Sequence, residues 1–185
     1  MKDVLSRTPG SYIAGEWYCD ATDWMDAVNP ATGATLARVP LGTRDTVRRA
    51  IAAAADAQPA WERKTAWDRA ALCRRLATAL DDARGHLAHV LCLDQGKPLA
   101  QAEGEIAKAA DGFRLAADLV KYQTGETIPT ETPGRLVMTM RRPRGVCAVV
   151  TPWNFPVNIP VEYLAPAIAT GNAVVWVPAP STSLI

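Results

Sequence analysis

Histidine and phenylalanine are almost missing from this sequence, with two of each among 185 residues. So few imidazoles leave little for a histidine-built metal centre. His86 and His89 stand three apart and face no third ligand nearby in sequence, so a solvated helix face is the plain reading and no metal site is assigned. Charge of one sign is also missing. Twenty basic side chains meet nineteen acidic ones for a net charge of +1, which gives no electrostatic footprint for nucleic acid or an anionic membrane surface. No apolar run reaches the roughly 18–20 residues of a membrane span. The opening Met1–Arg7 lacks the apolar core of a secretory signal, and a cytoplasmic setting is expected. Cysteine is sparse. Cys19, Cys73, Cys92 and Cys147 form no C-x-x-C pair, so they are expected to be reduced, buried and small, not metal ligands or disulfides.

What is present is a soluble-type composition, 49% apolar and 21% charged, without repeats or low-complexity stretches. Residues 1–10 read as a flexible tail. Tyr12–Trp17 reads as a hairpin turning at Ala14-Gly15. Asn29–Gly33 is a second turn, leading into a strand over Thr35–Val39. From Thr43 the apolar period becomes helical, with Val47, Ile51 and Ala54 or Ala55 on one face, and Pro59 ends or kinks that helix. Leu72, Leu76, Leu80, Leu87 and Leu91 form the stripe of a second helix. Gly96 stops it and Pro98 opens a third, whose stripe is Ala102, Ile106, Ala109, Phe113 and Val120. Lys97 after Gly96 lacks the spacing of a phosphate loop and belongs to the helix-stop turn. Arg135–Arg141 alternates like a strand, and Arg141, Arg142 and Arg144 form a basic cluster suited to a solvated edge or a subunit contact.

The last forty residues change character. Val146–Val150 is a continuous apolar run, as expected of a parallel strand buried on both faces. A helix follows over Ile159–Thr170 with Leu164 and Ile168 inward. Gly171-Asn172 closes it, and Ala173–Val177 is a second strand. This is a strand–helix–strand unit, expected to be parallel and right-handed. Ligands of such sheets bind beyond the carboxyl ends of the strands. Two loops lie there, Thr151–Pro156 and Pro178–Ser183. In the first, Pro152 and Pro156 stiffen a segment in which Trp153 and Phe155 flank Asn154. An asparagine held at a strand mouth can donate to a developing oxyanion. It can equally be a turn asparagine bonding local backbone.

The Pro152-Trp153-Asn154-Phe155-Pro156 segment resembles the end of the first dinucleotide-domain strand in the NAD(P)-dependent aldehyde dehydrogenase superfamily. Tyr12–Trp17, Asn29–Gly33, Gly96-Lys97-Pro98 and Gly171–Val175 resemble further segments of that family, in family order. The resemblance runs from about Ser11 to Ile185. It implies an α/β fold: the start of a Rossmann-type dinucleotide-binding domain, with an N-terminal hairpin and helical layer over residues 11–134, an oligomerisation-type strand over 135–143 and the first strand–helix–strand unit of the cofactor domain over 144–185. It implies oxidation of a small-molecule aldehyde to an acid or thioester with NAD or NADP, through a cysteine thiohemiacetal. Asn154 would then help hold the oxyanion. Val150, Thr151, Pro152, Trp153 and Asn154 would line the nicotinamide side, and Val177, Ala179 and Pro180 the adenosine ribose.

Two departures bear on the cofactor. Family members usually carry lysine where Val177 stands, and many NAD-preferring members carry glutamate where Pro180 stands. The two losses push the choice between NAD and NADP in opposite directions. The missing ribose donor is expected to cost about 1–3 kcal/mol of cofactor binding. The family's nucleophilic cysteine, general-base glutamate and glycine-rich turn fall beyond the position matching Ile185. An incomplete aldehyde dehydrogenase domain, truncated and inactive alone, is therefore expected, assembling as a homo-oligomer or with a completing chain and poorly soluble without one. The alternative is a non-catalytic remnant or a partner-dependent interaction module.

Overall fold

A computed structural model describes residues 10–185; the expectation of a tail over 1–10 lies outside them except for Gly10. The first strands are Ser11–Ile13 (β1) and Glu16–Tyr18 (β2), antiparallel, with Tyr12 opposite Trp17. Ala14 and Gly15, at φ 52° and 87°, make the kind of two-residue turn that right-twisted strands need. A second antiparallel ribbon joins Trp24–Val28 (β3) to Thr35–Pro40 (β4) around the Asn29–Gly33 turn. Strand β3 was not anticipated; its alternation is short, and only Ala27 is buried.

Four helices follow: Arg44–Glu62 (α1), Ala66–Asp82 (α2), Arg84–Gln95 (α3) and Leu99–Leu119 (α4). Thr43 and Thr65 start α1 and α2 with reciprocal caps: each threonine hydroxyl accepts from the amide of the third helical residue, and that residue's side chain, Thr46 or Asp68, accepts from the threonine's own backbone N–H. Three expectations need correction here. Pro59 does not end α1, because the turn beyond it is tied to the rest of the fold: Trp61 Nε1 donates to Ile168 O at 2.9 Å and Gln58 Nε2 to Gly171 O at 3.2 Å. Val47 and Ile51 point outward. The inward face is rotated by about one residue, onto Thr46, Ala50, Ala54, Gln58 and Trp61, none of which is exposed. The leucine stripe from 72 to 91 belongs to two helices, separated at Ala83, which caps both.

Helix α4 is the hub. Its face of Ala109, Ala110, Phe113, Ala116 and Ala117 joins Ala70, Cys73 and Ala77 of α2 in one core. Alanines there let helices approach closely, and at Gly112 a Cβ would come within 2.9 Å of Val161 Cγ1. After a short 3-10 turn the chain forms a small ribbon, Thr127–Ile128 (β5) against Val137–Met138 (β6). Only these two residues of the expected 135–141 strand pair; Leu136, Met138 and Met140 are exposed.

The C-terminal unit is Val146–Val150 (β7), Asn158–Ala169 (α5) and Ala173–Val177 (β8). The strands run parallel, Val146 opposite Ala173 through Val150 opposite Val177. Val161, Ala165 and Ala169 of α5 complete the core that α2 and α4 begin. Among the described residues β7 has one strand neighbour, and its two faces are not both buried as expected: Val149 is buried and Val150 is 76% exposed. No described helix is long and apolar enough to cross a membrane.

Candidate active site at the carboxyl ends of the parallel strands

The register of β7 and β8 brings Val150 and Val177 side by side, so the loops after both strands leave from one edge. They are tied together. Thr151 N donates to Val177 O at 3.3 Å, and Trp176 Nε1 donates to Thr151 Oγ1 at 2.9 Å. Thr151 is thus a buried strut whose hydroxyl oxygen accepts from the neighbouring strand. Beyond it Val150, Pro152 and Trp153 are exposed, Trp153 by 61%. Val177 and Pro180 are exposed on the neighbouring loop, with Ala179 half-buried between them. The edge is an apolar shelf without a side-chain charge of its own.

Asn154 is exposed, and no hydrogen bond to its side-chain amide is found among the described residues. Its local-turn alternative is therefore not what the fold adopts. What is held is the main chain around it. Gln95 Nε2 donates to Trp153 O at 2.7 Å and Asn154 O at 2.9 Å, and Lys97 Nζ donates to Asn154 O at 3.0 Å. Both donors come from the end of α3, where Gly96 takes φ 78° and turns the chain back. Lys97 also sits 4.2 Å from the centre of the Phe155 ring, a cation–π distance. Its ammonium pairs with Glu105. Their side chains are 9% and 1% exposed. The other Glu105 oxygen accepts from Val157 N at 2.9 Å and Asn158 N at 3.1 Å, the free amides at the start of α5. Lys97 is therefore more than part of a helix-stop turn.

Gln95 and Glu105 escaped the sequence reading, though Glu105 left a signal. It falls between Ala102 and Ala109 at three and four residues, on the buried stripe of α4. An acid on such a stripe needs a partner. Asp94 is similar, buried one turn after Leu91. Burial pushes its carboxyl up to about 6 against a weaker lowering by the Leu184 amide, which donates to it at 3.1 Å.

The remaining candidates lie elsewhere. His86 and His89 are exposed on α3. Cys73 is buried in the core, where burial pushes its thiol up, whereas Cys19 is exposed, contrary to expectation. Cys147, in β7, and Cys92 are half-buried. Arg142 reaches Glu62 at 3.9 Å, and Arg141 and Arg144 are exposed beside it.

Comparison with known proteins covers this whole arrangement. The aldehyde dehydrogenase family profile matches residues 17–185. A glutarate-semialdehyde dehydrogenase from Pseudomonas putida is 40% identical over 184 residues, spanning 98% of this chain and 38% of the relative. An NADP(+) succinate-semialdehyde dehydrogenase from Escherichia coli is 40% identical over 172 residues, 92% of this chain and 36% of its own length. Among solved structures, an NADP-dependent enzyme of Escherichia coli superposes with TM-score 0.93 at 38% identity, over 98% of this chain and 38% of that one. A succinate-semialdehyde dehydrogenase from Burkholderia pseudomallei gives 0.92 at 40% identity, over 97% and 37%. The chain thus spans less than two fifths of the length of these relatives.

Proposed function

The chain belongs to the aldehyde dehydrogenase family, and from that membership we propose that it forms the oxyanion side and part of the cofactor side of a site oxidising an aldehyde with NAD or NADP. The observation that carries this reading is the Asn154 segment. Its carbonyls are fixed by Gln95 and Lys97 at the mouth of a parallel strand pair while its side chain stays exposed. An amide donor whose backbone cannot drift is suited to meet charge that develops on a carbonyl oxygen when a thiolate adds to the carbon. By family resemblance that thiolate is a cysteine other than Cys19, Cys73, Cys92 and Cys147.

The shelf fits the flat, apolar part of a dinucleotide. Val150, Pro152 and Trp153 would cover a nicotinamide ring and exclude water from it; Val177, Ala179 and Pro180 would lie along a ribose. NAD(P), when bound, supplies a hydride acceptor. The shelf itself supplies neither a lysine at 177 nor a carboxylate at 180, which leaves NAD and NADP equally admissible. The exposed Leu136, Met138 and Met140 support self-association through residues 135–143.

The test is Asn154→Ala in the full-length polypeptide, with NAD(P)H formation followed on simple aliphatic aldehydes. Loss of one oxyanion donor lowers kcat by about 10²–10³, with cofactor affinity preserved. Unchanged turnover refutes the assignment. One observation favours a second reading, an interaction module completed by another chain: β7 and β8 form a two-stranded sheet among the described residues, and such pairs need further neighbours. A cooperative melt of a soluble monomer would count against that second reading.

A further inference from the structure

A glutamate on the buried stripe of α4 has no packing reason to be there. A buried ion pair seldom stabilises a fold more than two well-packed apolar side chains of the same volume. Glu105 and Lys97 are nevertheless buried together, and every further bond they make ends on one short segment. Glu105 accepts from Val157 N and Asn158 N at 2.9 and 3.1 Å. Lys97 donates to Asn154 O at 3.0 Å and lies 4.2 Å from the Phe155 ring centre. Gln95 takes the carbonyls of Trp153 and Asn154. The gripped groups are main-chain atoms on both sides of Asn154, and its own amide is left free.

We propose that Lys97, anchored by Glu105, is a positioning residue: it fixes the backbone of Asn154 so that the free amide is presented at one place. This rests on the oxyanion role proposed for Asn154. The pair acts before any ligand arrives. The carboxylate fixes the start of α5, the ammonium bridges from that carboxylate to the loop carbonyl, and the loop is held from both ends. Lys97 itself touches no reacting atom.

Lys97→Met alone leaves a buried carboxylate unpaired and can fail by unfolding. The informative variant is Lys97→Met with Glu105→Gln. Gln keeps an acceptor for the two α5 amides, and Met fills the space of the lysine stem. Two readouts apply to the full-length polypeptide: amide hydrogen exchange over residues 153–158, and steady-state kinetics with an aliphatic aldehyde and NAD(P). Exchange over 154–158 is expected to quicken, at Val157 and Asn158 because the neutral amide at 105 accepts more weakly than the carboxylate, while the protection of α4 holds. Loss of register at the reacting oxygen is expected to lower kcat about 10- to 100-fold, with both KM values nearly unchanged. Lys97→Arg, which keeps a charged donor, should recover most of the rate.

The decisive measurement is the same double change in an Asn154→Ala background. A residue acting through Asn154 has little left to act on there, so kcat should fall by less than about twofold. A full 10- to 100-fold fall in that background marks a merely structural pair and overturns the proposal. Unchanged exchange over 154–158 in the double variant overturns it whatever the turnover. A wild-type polypeptide that oxidises no aldehyde sinks the dehydrogenase reading instead, and exchange then decides whether the clamp exists.

Discussion

Replacing Arg69 by methionine should loosen the base of the strand pair far more than a half-exposed side chain ordinarily would. The guanidinium leaves α2 and reaches the carboxyl ends of two other helices. Nε donates to Ala169 O of α5 at 2.7 Å, and Nη1 to Glu62 O of α1 at 3.4 Å and to Lys64 O. A hydrogen bond from a charged donor contributes roughly 1.5–3 kcal/mol. A cation at a helix C-terminus adds about 0.3–1 kcal/mol. Only the Ala169 bond is both short and partly buried; the Glu62 bond is long and the Lys64 carbonyl is exposed, where water replaces the donor. One full bond plus two weak ones gives about 2–4 kcal/mol for Arg69→Met. In a chain of this size that lowers Tm by roughly 5–12 °C. Methionine keeps the apolar stem, so lost packing is not the cause. Arg69→Lys restores one donor and the charge and should recover about half. Thermal and urea unfolding followed by circular dichroism measure both. A Tm within about 2 °C of wild type for Arg69→Met would refute the reasoning and show that α1 and α5 are held by their apolar faces alone.

Three other outcomes are expected. Phe113→Ala, in the core shared by α2, α4 and α5, should cost about 3–5 kcal/mol, whereas Leu119→Ala on the exposed face of the same helix should stay within about 0.5 kcal/mol; comparable values would mean that the α4 faces are misassigned. Asp94, with its carboxyl pushed up to about 6 from 3.8, binds its proton more tightly folded than unfolded, so its contribution to stability is whole below about pH 4 and is lost as pH rises through about 6, by the order of 2–3 kcal/mol. Asp94→Asn keeps an acceptor for Leu184 and should flatten that decline in urea titrations across the window; parallel curves would argue against it. Val177→Lys places a donor on the shelf and should tighten NAD(P) binding to the full-length polypeptide, about tenfold for each 1.4 kcal/mol gained, with fluorescence titration as the measurement and an unchanged Kd as the result that removes Val177 from the ribose path.

The elements that could be read in the sequence are those whose local chemistry and tertiary setting agree. Ala14-Gly15 makes its turn because the hairpin twist demands positive φ there, and Gly96 stops α3 for the same conformational reason. The α4 stripe was legible because all five of its expected residues are buried. Failures came where distant contacts outvoted local preference. Pro59 is a helix breaker by propensity, yet Gln58 and Trp61 are anchored across more than a hundred residues of sequence and hold the turn on either side of it. Val47 and Ile51 gave α1 a plausible apolar face, but the face closed to water carries Thr46, Ala50, Ala54, Gln58 and Trp61, mostly small or polar side chains that periodicity does not weigh.

The same division runs through the candidate site. Asn154 was readable because two prolines and two aromatics surround it, a local pattern that the family profile also covers. The groups that hold its segment were not, since Gln95, Lys97 and Glu105 reach residues 153–158 across 52 to 59 residues of sequence, and Gln95 and Lys97 each have an ordinary local explanation, a helix end and a turn. Only Glu105 contradicts its surroundings, being an acid on a stripe whose other members are apolar and closed to water. A buried charge is costly unless paired, so such a contradiction predicts a partner even when the sequence does not say which one. Lys97 satisfies the charge, but it bonds only one of the two carboxylate oxygens. The second oxygen had to find donors of its own, and it found them in the free amides that open α5. In this way a single out-of-place carboxylate links the end of α3, the second turn of α4 and the start of α5, and the loop carrying Asn154 leads into the last while its carbonyls are held by the first.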